Sequence, residues 1–87
     1  MKMIIIIVND SDADTVTREL TSADFRVTRI ASTGGFLRSG VVTLFSGVDD
    51  DRVEAGLQVI RRALGISEPD AARATLFVVP VQRFEKI

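Results

Sequence analysis

The chain has 87 residues, 46% of them hydrophobic and 26% charged, with a net charge of −1; these values exclude a disordered chain and give no reason to expect nucleic acid or an anionic membrane surface as partner. It contains no cysteine, histidine, tryptophan or tyrosine, which removes disulfides, thiolate chemistry and imidazole as a general base or metal ligand. A single domain of this length buries only about 60–65% of its unfolded surface, so association with further copies is a useful source of stability.

Met3 to Val8 is a short apolar run rich in isoleucine, followed at once by Asn9 and Asp10. A secretory leader needs an apolar stretch of about 7–15 residues and a small-residue cleavage site, and a membrane span needs roughly 20 apolar residues. The run is therefore read as a strand buried on both faces, and the expected location is cytoplasmic. Asn9 to Asp12 is rich in residues that cap helices. A helix is predicted from about Asp12 to Ala23, with Ala13, Val16, Leu20 and Ala23 at helical spacing. The stripe is thin, so this helix depends on packing against a sheet.

Phe25 to Ser32 sets Phe25, Val27 and Ile30 against Arg26, Thr28 and Arg29, an imperfect alternation that predicts a strand. Thr33 to Gly40 holds three glycines in eight residues and is read as a loop. Val41 to Val48 is a second apolar strand. Asp51 and Glu54 have the spacing of a capping box with Asp51 as N-cap, and Val53, Leu57, Ile60 and Leu64 follow at helical spacing. Arg61 and Arg62 at the end of this helix, with Gly65 beyond them, suit the helix dipole and a helix stop. Residues 66–73 form a short connection, Ala74 to Pro80 is the last strand, and the tail Val81 to Ile87 is expected to add an edge strand or dock on a neighbour.

The order β-α-β-β-α-β is the split βαβ arrangement. It implies an α+β, ferredoxin-like fold: an antiparallel sheet with two helices on one face, the whole of 1–87 forming one domain. Right-handed crossovers place the first and third strands at the centre. Two helices cover only one face of such a sheet. The first and last strands are apolar at consecutive positions, so the other face is apolar too, and a closed ring of copies would cover it. The alternative is a face screened by long polar side chains and the tail.

The glycine-rich loop is the most informative segment. Phe36 and Leu37 are apolar residues in a surface loop, where something must cover them. Gly34, Gly35 and Gly40 let backbone amides approach an anion. Arg38 is in the loop, and Arg26, Thr28 and Arg29 lie on the strand that feeds it. This set offers a nucleotide a stacking ring, amides, hydroxyls and cations. It fits equally a hairpin tip whose Phe36 folds onto a seam between copies. It is not a Walker A loop, since the Gly-Lys-Ser/Thr ending is missing.

The carboxylates have simpler readings. Asp10, Asp12 and Asp14 resemble the start of a calcium loop, but Thr15 and Thr21 stand where Gly and Glu are needed, so they are read as helix-capping and dipole-pairing acids. Asp49 to Asp51 are read as caps of the second helix. No metal site is expected. Hydroxyls without a histidine, and only two lysines, predict that the protein is not an enzyme.

The run from Phe25 to Gly40 (FRVTRIASTGGFLRSG) resembles the PII-like cyclic di-AMP receptor family. Met1 to Ile5, Gly47 to Val53, Ala74 to Val81 and Phe84 extend the resemblance over nearly the whole chain. The resemblance implies a homotrimer of ferredoxin-like subunits with ligand sites in the clefts between them. It also implies that Arg26, Thr28, Gly35, Phe36, Leu37 and Gly47 bind the ligand. Arg26 would pair with phosphate, Thr28 would offer its hydroxyl, the amides of 35–37 would cradle phosphate or base edges, Phe36 would pack on adenine, and Gly47 would leave room for the ring. The chain departs from the family at three points: Val41 stands where the family has an adenine-reading Asn, Lys86 where it has a ligand-contacting Gln, and the short 66–73 connection replaces a long insertion.

The expected function is a signalling receptor. It would bind cyclic di-AMP or a related adenine nucleotide at subunit interfaces, use no cofactor, and pass the signal to an unknown protein partner. The alternative is a structural or protein-binding trimer of the same family that has lost the nucleotide site.

Overall fold

The computed structural model describes residues 1–30, 40–65 and 73–87. Strand β1 (Lys2–Asn9) leads directly into helix α1 (Asp10–Ser22). A short strand β2 (Thr28–Ile30) and a longer β3 (Val41–Val48) follow. A single 3-10 turn (Asp50–Arg52) opens helix α2 (Val53–Leu64), and β4 (Ala74–Pro80) closes the sheet. The strand order is β2-β3-β1-β4, and every neighbouring pair is antiparallel. The two central strands are the first and third, as the crossover rule requires.

Strand geometry sends alternate side chains to opposite faces. Ile4, Ile6 and Val8 of β1 point under the helices with Val42, Leu44 and Val48 of β3, all buried. From above, α1 contributes Ala13, Val16 and Leu20, and α2 contributes Val59, Ile60 and Leu64. The alternate residues of β1, namely Met3, Ile5 and Ile7, are only half-buried. The strand is therefore buried on one face rather than two: the second face is screened by its neighbours β3 and β4 but no element of the described chain lies over it.

Helix α1 starts two residues before the predicted position. Its N-cap is Asn9, whose side chain makes no capping bond. It ends in a Schellman turn: Phe25 N–H donates to the Leu20 carbonyl at 2.9 Å and Asp24 N–H to the Thr21 carbonyl at 3.1 Å. Asp24 takes the left-handed conformation this turn needs, at φ 69°. The turn drives Phe25 into the core, where it is buried beside α2. That explains why β2 starts at Thr28 and not at the predicted Phe25. Residues 31 and 32, and the loop from 33 to 39, lie outside the described residues, as does the connection 66–72.

The capping box predicted at Asp51 does not form. Arg52 N–H bonds the Asp49 carbonyl at 2.9 Å and closes a 3-10 turn, which places Asp51 inside the turn, with no side-chain cap there or at the start of α2. Gly65 ends α2 in the left-handed region at φ 66°, as predicted. The tail adds no edge strand. Val81 N–H reaches the Met1 carbonyl at 3.1 Å, one bond beyond β4, and residues 82–87 are exposed.

Candidate functional site

The candidate site is the sheet face that the helices leave open. Register decides which residues reach it. Ile5 stands between Phe45 of β3 and Phe77 of β4, and Met3 between Gly47 and Val79. These residues lie opposite the core face. On β2, Thr28 pairs with Phe45 and Ile30 with Thr43, so Thr28 and Ile30 share the open face while Arg29 points to the helix side. The sequence pattern had grouped Arg29 with Thr28; the strict two-residue period of the ladder separates them.

Of the six predicted ligand residues, three are described: Thr28 and Gly47 lie on the open face, on β2 and β3, and Arg26 stands in the segment just before β2. The other three, Gly35, Phe36 and Leu37, lie outside the described residues. Arg26 and Thr28 are exposed and line one shallow depression with Thr21, Asp24, Phe25 and Val27. Among the described residues, no carboxylate pairs with Arg26.

Gly47 is exposed, and its backbone is not in the left-handed region. A methyl group at its Cα would meet nothing nearer than the side chain of Met1, at 3.9 Å. Packing among the described residues therefore does not require glycine there. Close by, the Met1 ammonium hydrogen-bonds Asp50 at 2.9 Å. That bond, the charge of the same ammonium and then that of Lys2 hold the exposed Asp50 carboxyl below its ordinary range.

Two arginines hold the segment carrying Arg26 and Thr28: Arg29, which the sequence grouped with them, and Arg52, which it did not single out. Arg29 donates to Asp14 at 2.8 Å and to Asp10 at 3.0 Å, both on α1. Arg52 donates to the carbonyls of Ala23 and Asp24, at 3.1 and 3.3 Å, with its guanidinium 4.1 Å above the centre of the Phe25 ring. A third arginine, Arg73, joins Asp12 at 2.8 Å and the Leu64 carbonyl. The three aspartates that resemble a calcium loop are thus each paired with an arginine. None of these partners is adjacent in sequence, so no local pattern could have revealed them.

Val41 is half-buried and sits opposite Asn9 in the β1–β3 ladder. Lys86 is exposed in the tail. Among the described residues no group of three His, Cys, Asp or Glu side chains is placed to hold a metal ion. No helix among them is long and apolar enough to cross a membrane.

Comparison with known proteins bears on this face. A family model described as "Cyclic-di-AMP receptor" matches residues 1–67. The match takes in Arg26, Thr28 and Gly47, and stops before β4 and the tail. Among solved structures, the chain is similar to "a functionally unknown protein from Pediococcus pentosaceus ATCC 25745". The two are 32% identical with a TM-score of 0.76, and the match covers 99% of this chain and 96% of that one.

Proposed function

This chain belongs to the cyclic-di-AMP receptor family, and from that premise we propose that it is a PII-like signalling receptor. It binds cyclic di-AMP, or a related adenine nucleotide, at the seams of a homotrimer and passes the signal to a protein partner. The observation that carries the reading is the uncovered sheet face on which Thr28 and Gly47 lie, with Arg26 in the segment that leads into Thr28.

Each residue has a chemical task. The Arg26 guanidinium offers a phosphate two parallel N–H donors, and Thr28 adds a hydroxyl. Gly47 leaves space for a flat ring, and among the described residues no side chain but that of Met1 comes within 4 Å of a Cβ placed there. The backbone amides of Gly35, Phe36 and Leu37 cradle phosphate or base edges, and the Phe36 ring packs against adenine. Signalling of this kind needs binding without turnover.

The same face supports association of copies. Ile5, Phe45 and Phe77 form an apolar row across three strands, with Phe77 half exposed, and Ile30 and Val79 are exposed beside it. Soluble monomers rarely expose an apolar patch of more than a few hundred Å². Copies of this chain packed sheet to sheet around a threefold axis would bury it. They would also bring a second subunit over the Arg26 end of the face.

Calorimetric titration with cyclic di-AMP, ATP, ADP and AMP tests the reading. Heat with cyclic di-AMP supports it, and silence with all four ligands contradicts it. A second reading rests on Val41 and Lys86, which lack the amides found in the family. A family trimer that has lost its nucleotide would keep a protein partner after Arg26→Ala, with or without nucleotide present.

A further inference from the structure

Residues 23–30 carry Arg26 and Thr28 along an exposed edge. Among the described residues, β2 pairs with β3 over three residues, and all three are exposed. An edge strand whose described part buries no side chain is weakly held by ladder bonds alone. Two arginines fix the segment from outside. Before the strand, Arg52 reaches across from the turn that opens α2, takes the carbonyls of Ala23 and Asp24, and covers the ring of Phe25. Within it, Arg29 turns away from Thr28 and grips Asp10 and Asp14 on α1.

We infer that Arg29 and Arg52 are positioning residues for the ligand site, two clamps that hold Arg26 and Thr28 in place before ligand arrives. The inference rests on the receptor reading for its ligand. Neither clamp needs to touch the nucleotide. Arg29 faces the helix side of the sheet, opposite Thr28, and Arg52 belongs to a different element. Their effect is to remove freedom from the segment, so that binding does not have to order it. The same α1 turn also receives the chain after the glycine-rich loop, since Asp10 N–H donates to the Gly40 carbonyl at 2.7 Å. Both strands that flank that loop are therefore tied to α1 through Asp10.

The test uses the protein with Arg52→Gln, with Arg29→Gln, with Asp10→Asn and Asp14→Asn together, and with these last three changes combined. Arg52→Gln should raise exchange at Phe25 to Thr28 and weaken binding, and it counts against the second clamp if it does neither. Two quantities are read: amide hydrogen exchange in the ligand-free protein, and the calorimetric Kd for cyclic di-AMP. In Arg29→Gln, exchange at Thr28 to Ile30 rises about tenfold while the amides of α2 stay as in wild type, and the Kd weakens about 3- to 10-fold, the scale of two exposed ion pairs. Removing both carboxylates does the same, and adding Arg29→Gln to them costs little more, because the three groups act as one unit. Arg29→Lys, which keeps one charge contact, falls between. Unchanged exchange at Thr28 to Ile30 overturns the inference, as does an unchanged Kd in a protein whose Arg26→Ala variant no longer binds. If the wild type binds no cyclic di-AMP, the receptor reading fails, and the exchange data still decide whether Arg29 holds the strand.

Discussion

Gly56 of α2 lies so close above Ile4 of β1 that a methyl group on its Cα would stand 3.2 Å from the Ile4 Cδ1, and 3.4 Å from the ring of Phe25. Glycine inside a helix costs about 1 kcal/mol relative to alanine. Here it lets α2 settle onto the sheet and onto the residue that precedes Arg26. Gly56→Ala therefore combines a propensity gain with a tight contact, and the two nearly cancel. Gly56→Leu has no such offset. It overpacks a core that is already filled and lowers stability by about 2–3 kcal/mol, measured as a lower urea midpoint with an unchanged slope.

Asp24 holds a left-handed conformation at φ 69°, at the C-terminal end of α1. A negative charge is unfavourable at that end of a helix, and the conformation itself favours glycine. Asp24→Gly keeps both bonds of the Schellman turn and raises stability by about 0.5–1 kcal/mol, seen as a higher urea midpoint. Asp24→Val, β-branched and strained at this φ, lowers it.

Much of the architecture was legible because it rests on local periodicity. The Val41–Val48 and Ala74–Pro80 strands stand where their apolar runs placed them. Val16 and Leu20, and Ile60 and Leu64, are buried as their spacing required. What was not legible depends on partners distant in sequence. Asp51 has the spacing of a cap, but the chain closes a 3-10 turn there and Arg52 is drawn across to α1. Phe25 reads as a strand residue until the Schellman turn pulls it inward. At the site, Arg26, Thr28 and Gly47 were named through a family resemblance. That Thr28 and Gly47 share one face needs the β1–β3 and β2–β3 registers, which no short-range pattern supplies. Arg29 was visible only as one charge among several, because its aspartates lie 15 and 19 residues away.

The proposed trimer makes its own prediction. Ile5 lies in the middle of the open face, flanked by Phe45 and Phe77, and points away from the core. Ile5→Glu places a charge where copies would meet and leaves the helix-side packing alone. Light scattering should give about three times the 9.5 kDa chain mass for wild type and a single chain mass for the variant. A wild-type protein that runs as a monomer at high concentration contradicts the ring.

Thermal unfolding of wild type and Arg26→Ala, each with and without cyclic di-AMP, tests the central claim most directly. A ligand that binds only the folded protein, at 100 times its Kd, stabilises it by about 2.7 kcal/mol. Loss of one charge-assisted phosphate contact, about 1.5–3 kcal/mol, weakens affinity roughly 10- to 150-fold. The account predicts a clear rise in the wild-type midpoint and, at the same ligand concentration, a rise cut to about half or less for Arg26→Ala. An unchanged wild-type midpoint, or an equal rise in both proteins, would contradict it.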